Sequence, residues 1–455
     1  MTPDEYRILD ATDLAALVRA GEVADADIRA AARAMHDRTD PVINAVVEWY
    51  EDPTPVRDLD GPLAGVPVLR KDYGSAEAGR LVEMGSALAQ GHRARTTGVF
   101  VDRLQAAGVQ ILGRSAVPEF IQHGTTESAV HGTTRNPWNP QVSAGGSSGG
   151  AAAAVAAGVV PVAHASDCAG SIRIPAAACG LVGLKPSRRR VPWEDGGWGG
   201  VAEEFVVTRT VRDTEAFLGV LGDGPMLDAA GPLRIAVSTD HWAGEDPDPA
   251  VVAATEAVAA LLEDLGHRVT PVDPPLDAEL LAGTWHALFS RWVAHDVTTV
   301  AQLTGRPPGP DTLEPVTLAA VEAATALTLH DVTIAQVTQG RIADRLRTDM
   351  AGYDVLLTPT LGRAAIPLGH VAGDVESMGE YLRRNDVLMP YSYLFNVTGW
   401  PAMTVPVGWA EAGVPLGAQL AAPIGWEPVL LGLGRAIEEA GLFGPPPEAG
   451  AQSRS

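Results

Sequence analysis

The stretch from Gly145 to Pro186 constrains the fold of this chain more than any other part of it. Gly145-Gly146-Ser147-Ser148-Gly149-Gly150 runs directly into an alanine-rich segment that ends at Gly158. That order predicts a buried helix starting on a Gly/Ser loop. Val159-Val160-Pro161-Val162-Ala163 then predicts a strand leading into a second loop of small residues, Asp167-Cys168-Ala169-Gly170-Ser171. The segment continues through Ile172-Arg173-Ile174-Pro175 and on to Lys185-Pro186. Helix and strand joined by such loops imply layers with helices laid on a sheet.

The rest of the chain extends that pattern. Residues 9–36 carry two amphipathic helical patterns, with Leu14, Leu17 and Val18 on one face. Strands are predicted at 43–48, 66–69, 109–112, 233–237, 268–272, 355–359, 402–407 and 416–420. Helices are predicted at about 98–107, 249–265 and 427–440. Residues 276–350 read as mostly helical, and Trp285, Leu288, Phe289 and Trp292 recur on one face. No Ser/Gly linker, charge block or fixed-period repeat divides the chain. The expectation is an α/β domain spanning 1–455, with a central mixed sheet flanked by helices and a helical insertion at about 276–350.

Among 33 basic residues only two are lysine, Lys71 and Lys185. A lysine kept in such an arginine-rich background suggests a position where arginine fails. Arginine stays protonated near neutral pH, whereas a buried lysine can become a neutral amine and act as a base. Lys71 ends the apolar run Gly65-Val66-Pro67-Val68-Leu69-Arg70. A serine hydroxyl needs a base at neutral pH. Lys71 supplies it if burial lowers its pKa from about 10.4 toward ~7–8. In the second loop, the backbone amides of Cys168, Ala169, Gly170 and Ser171 can converge as an oxyanion hole. Asp167 and Arg173 flank that loop with opposite charge and are assigned to buttressing it.

These residues resemble the amidase signature family. The family's glycine-glycine-serine-serine-glycine-glycine motif stands at 145–150, and its aspartate-x-x-glycine-serine-isoleucine-arginine-x-proline motif stands at 167–175. The 24-residue spacing of Ser147 and Ser171, and Lys71 after a Gly-Val-Pro strand, match as well. The resemblance implies that Ser171 is the nucleophile, that Ser147 is a relay serine following a cis peptide, and that Lys71 is the base, with Ser148 in support. It covers about 60–205 and, more weakly, 352–440, the two parts expected to form the catalytic core. Residues 206–351 match in length and helical character. Within the family, Ala169-Gly170-Ser171 and Arg135-Asn136-Pro137-Trp138-Asn139-Pro140 are similar to hydrolases of nylon-oligomer cyclic dimers, aryl amides and carbamates. Two departures stand out: Ala169 where many members have glycine, and Cys168 where a small or polar residue is common.

The reading that follows is an amidohydrolase of small carboxamides, anilides or carbamates, needing no cofactor or metal. A glutaminase-type subunit of a tRNA-dependent amidotransferase is the alternative. Gln122, Gly124, Thr125 and Asn396 are candidates for touching substrate, and Trp285, Phe289 and Trp292 for walling it. His123, His131 and His164 are assigned to packing or loop hydrogen bonding.

A net charge of −23 argues against sequence-independent nucleic-acid binding and adsorption to anionic membranes. Two cysteines, Cys168 and Cys179, make neither a disulfide framework nor a zinc site. The Met1–Arg7 segment lacks the basic start and apolar core of a signal peptide, and no uncharged run reaches ~18 apolar residues. A cytoplasmic monomer or homodimer is expected.

Overall fold

Among the described residues, eleven strands form one mixed sheet, and its spatial order brings distant pieces of the chain together at the centre. Across the sheet the strands run Val46–Trp49, Gln110–Ser115, Pro67–Lys71, Val162–Asp167, Glu203–Thr208, Val182–Lys185, Ala402–Trp409, Pro415–Ala421, Val355–Pro359, Arg234–Val237 and Arg268–Pro271. Pro67–Lys71 pairs parallel with both of its neighbours, whereas the central strands from Val162–Asp167 to Val355–Pro359 pair antiparallel. This computed structural model describes residues 1–193, 197–229, 231–375 and 377–444.

Side chains alternate across a strand, so the sheet builds a separate apolar core on each face. Ile235, Val355, Leu357, Ala418 and Leu420 belong to one core, which also takes the buried helix Gly149–Ala156. Ala236, Leu356 and Ala421 project into the other, with Cys168, Ala169 and the aromatic side chains of the helical region. That region comprises Ala278–Thr304, Pro315–Ala326 and Leu329–Asp349. Helix Gly149–Ala156 is apolar on every side, which suits a helix buried from its first residue through Val155.

The structure corrects several expectations. Ile43 and Asn44 are not strand: helix Asp25–Ile43 runs to Ile43, and Asn44 ends it in the left-handed conformation (φ 51°, ψ 54°). Asp40 then receives the backbone N–H groups of Ala45 and Val46, and the strand starts at Val46. The strand expected at 159–163 begins at Val162, because the Val159 N–H still bonds to Ala154 of the preceding helix. Strand Glu203–Thr208 is not among the expected strands, and it opens with two glutamates. Both are buried: Glu204 accepts from the Ser75 backbone and hydroxyl, and Glu203 from the Arg189 backbone. Among the described residues no single helix is long and apolar enough to cross a membrane.

Candidate active site

Lys71 ends its strand inside the protein, fully buried. Its backbone N–H donates to His164 Nδ1 at 3.2 Å, which fixes the strand end against a histidine that burial keeps uncharged. Its Nζ lies 2.8 Å from Ser147 Oγ, 2.8 Å from Ser148 Oγ and 2.9 Å from Ser166 Oγ. Among the described residues, three hydroxyls thus surround one amine, with no carboxylate in direct contact. Burial pushes this amine down to about 7, although the charges of Cys168, Asp167 and Glu204 oppose the shift. Near neutral pH a good share of the molecules therefore holds it as a free amine.

The Gly/Ser loop delivers two of those hydroxyls. The Gly146–Ser147 peptide is cis, and Gly146 is pressed against Thr125. A side chain there would put its Cβ 2.2 Å from the Thr125 carbonyl oxygen, so only glycine fits. The Thr126 hydroxyl bonds to the Gly145 carbonyl and receives the Gly149 N–H, pinning both ends of the loop. Ser148 turns back toward the Ser166 carbonyl, 3.3 Å away, leaving Ser147 as the outer hydroxyl.

The second loop is clamped by charge. Asp167 is fully buried and meets Arg173 through two 2.9 Å hydrogen bonds. Burial alone would raise its carboxyl, but Arg173 and the Asn396 amide hold it well below the usual carboxylate range. Arg173 also donates to the Ser392 carbonyl, Gln419 Oε1 and Asn396 Oδ1. Asp167 Oδ1 takes the Gly170 N–H at 2.7 Å, and Oδ2 takes the Ile172 N–H at 3.2 Å. This corrects the oxyanion reading. The Gly170 amide is spent on Asp167, whereas those of Ala169 and Ser171 make no hydrogen bond among the described residues. Gly170 itself sits at φ +125°, where an added Cβ would be 2.8 Å from Ile174 and Ser392.

Ser171 lines a narrow cleft with a free volume of about 20 Å³, room for little more than one water molecule. Its residue is 8% exposed. Its hydroxyl makes no hydrogen bond among the described residues, so the link from Lys71 to Ser147 is formed and the link onward to Ser171 is open. Cys168, Ala169, Gln122, Gly124, Trp285 and Phe289 share this cleft. Thr125 does not: its hydroxyl donates to the Val371 carbonyl, behind the wall. Asn396 is also placed elsewhere. Its side chain is spent on Arg173, Asp167 and the Val201 carbonyl, all within the clamp. Trp292 faces a neighbouring hollow beside Leu288.

Several cleft residues gave no local signal in the sequence. Trp198 donates to Tyr73, and Tyr381, Asn385, Asp386 and Met389 come from around helix Met378–Leu388. Ser166 stands next to the Asp167 motif and was recoverable only by placing it on the strand beside Lys71. His123 lines the cleft. Among the described residues no group of three His, Cys, Asp or Glu side chains is arranged to hold a metal ion.

A family model described as Amidase matches residues 47–431. The chain is 34% identical to a 6-aminohexanoate-cyclic-dimer hydrolase of Paenarthrobacter ureafaciens, covering 95% of this chain and 94% of that one. It is 33% identical to an acylamidase of Rhodococcus erythropolis, with 93% of each chain covered. A solved structure of 6-aminohexanoate cyclic dimer hydrolase complexed with substrate superposes with a TM-score of 0.85 at 32% identity, covering 95% of this chain and 97% of the other.

Proposed function

This chain belongs to the amidase signature family of amide hydrolases, and on that premise we propose that it cleaves small carboxamides, anilides or carbamates through an acyl-enzyme on Ser171. The observation that carries the reading is the buried Lys71 amine, 2.8 Å from Ser147 Oγ and lowered to about 7. A group with that pKa is poised to take a proton at neutral pH and return it.

The Ser171 hydroxyl has one rotatable side-chain bond, and turning it toward Ser147 would complete the relay. As Ser171 Oγ attacks the carbonyl carbon, its proton passes to Ser147, whose own proton passes to the neutral Lys71. The Ala169 and Ser171 amides receive the developing oxyanion. The tetrahedral intermediate collapses, the C–N bond breaks, and the relay returns a proton to the departing amine. Water, giving a proton to Lys71 through the relay, then attacks the ester carbonyl; the bond to Ser171 Oγ breaks, that oxygen takes the proton back, and the acid leaves. Asp167, Arg173 and Asn396 hold the loop that aims Ser171. Trp285 and Phe289 offer apolar walls for an aryl or alkyl group, in keeping with relatives named for cyclic aminohexanoate dimers and acylamides.

The test is a panel of anilides, aliphatic amides, carbamates, glutamine and aminocaproate oligomers with amine release followed, alongside labelling by a sulfonyl fluoride. Release from anilides or small amides, with the label mapped to Ser171, is expected. A label found only on Ser148, or ammonia release from glutamine alone and only with partner proteins added, contradicts the reading.

A further inference from the structure

The cleft that holds Ser171 carries two buried polar side chains with unanswered hydrogen-bonding atoms. Gln122 is 4% exposed and His123 is 1% exposed, and both line the cleft. Among the described residues, Gln122 Oε1 and both ring nitrogens of His123 have no hydrogen-bond partner. Most buried polar side-chain atoms have a partner; unpaired ones also occur at His131, His241 and His370, but here they belong to two adjacent residues lining the cleft that holds Ser171, where a ligand can complete the bonding.

The neighbouring groups fix which kind of atom is missing. Gln122 Nε2 donates to Thr317 Oγ1 at 2.7 Å and faces the Glu119 carbonyl at 3.4 Å. A backbone carbonyl only accepts, and the Thr317 hydroxyl gives its own proton to the Glu119 carboxylate. The amide is therefore held nitrogen-inward, and its Oε1 remains an acceptor without a donor. The Glu119 carboxyl, which burial pushes up to about 7, is already engaged by the Ser86 hydroxyl, the Glu314 backbone N–H and Thr317.

His123 stands against Glu314, whose Oε2 lies 3.8 Å from Nε2 and has no hydrogen-bond partner among the described residues. Negative charge at that side favours the tautomer protonated on Nε2 and leaves Nδ1 as a second acceptor. Tyr381 packs edge-on against the ring and donates to the Gln122 carbonyl, so ring and loop are held together. The Asp386 carboxylate lines the same cleft. The polar wall is thus acceptor-rich, with carboxylates beside and behind it.

We propose that Gln122 and His123 form a recognition subsite for an N–H donor carried on the acyl part of the substrate, either a second amide N–H or an ammonium group. The proposal rests on the amide-hydrolase reading above and names the substrate class within it. The Gln122 carbonyl oxygen accepts one hydrogen bond from the donor and His123 Nδ1 accepts another or exchanges with it. Glu314 sets the imidazole tautomer as a positioning residue. Acyl groups lacking a donor leave the two acceptors buried and unpaired, which is how such sites discriminate.

The experiment uses anilides of acyl chains matched in length. One ends in an acetamido group, one in its N-methylated counterpart, which keeps the carbonyl and loses the donor, and one in an ammonium. Wild type should prefer acetamido over N-methyl acetamido by about tenfold in kcat/KM. Gln122→Met and His123→Phe should each bring that ratio close to one, and His123→Gln should restore part of it. The ratio is read within each variant, so general damage that lowers both rates leaves it unchanged. A higher rate for the ammonium substrate assigns the donor to a cation beside Asp386, and a lower one to an amide. The same acetamido and N-methyl pair titrated calorimetrically into Ser171→Ala gives the ratio as dissociation constants, so the subsite is judged even if no anilide turns over. A wild-type ratio near one, or one that survives both Gln122→Met and His123→Phe, overturns the proposal.

Discussion

The two lysines of this chain occupy similar environments and end in different roles. Lys71 and Lys185 each end a strand of the same sheet, both are fully buried, and burial pushes both amines down. Their neighbours differ. Lys71 Nζ touches three serine hydroxyls, one of which leads to the loop beside the cleft. Lys185 Nζ donates to the Pro186 carbonyl at 2.7 Å and answers the buried charge of Glu203, whose carboxyl burial pushes up. A carbonyl cannot pass a proton on, and hydroxyls can. Burial makes an amine titrate near neutrality. Only a chain of exchangeable hydrogens makes it a base for something else.

The strongest attempt to break this contrast exchanges the amine itself. Lys71→Arg should reduce kcat at least about 10³-fold with its thermal unfolding kept, because a guanidinium stays protonated. Activity within tenfold of wild type would place the base elsewhere. Ser147→Ala should cost about 10²-fold or more by cutting the path between Lys71 and Ser171. If Ser148→Ala alone has that effect, the relay runs through the other hydroxyl.

The pH profile sharpens the contrast further. Activity needs the unprotonated amine, so kcat/KM should fall about tenfold per unit below an apparent pKa of about 7. The same depressed pKa also bears on stability. The unfolded chain binds a proton on Lys71 that the native state resists, so this group's destabilising effect is full below about 7 and disappears as pH rises toward the unfolded value near 10.5. The smallest effect on turnover belongs to Lys185. Lys185→Met should leave kcat of the folded enzyme within about twofold yet lower stability by about 1–3 kcal/mol, since the buried Pro186 carbonyl loses its donor and Glu203 loses a nearby opposing charge. Denaturant unfolding of Lys185→Met/Glu203→Gln should recover part of that loss. A large drop in kcat from Lys185→Met would erase the distinction.

Composition and motif together made Lys71, Ser147 and Ser171 legible, because scarcity singled out the amine and two short loops carried the hydroxyls. Strand positions were legible wherever apolar residues ran continuously, as at Val355–Pro359. Spacing alone could not tell which amides in the second loop stay free. The Gly170 N–H is taken by an aspartate three residues earlier, a local turn that sequence does not separate from an oxyanion hole. Asn396 was near the site in the expected sense but turned inward, since only the folded sheet sets Arg173 beside it. The cleft wall from Trp198, Asn385 and Asp386 depends on segments far apart in the chain, and no local pattern announces such a meeting.

With only two lysines in the chain, the central claim is open to direct observation by NMR of protein labelled with ¹⁵N at the lysine Nζ. One amine signal should titrate near pH 7 and vanish in Lys71→Arg, while the signal that remains belongs to Lys185. If the signal lost in Lys71→Arg instead titrates only near the ordinary lysine value of about 10.4, the side chain is a cation at working pH and cannot be the base.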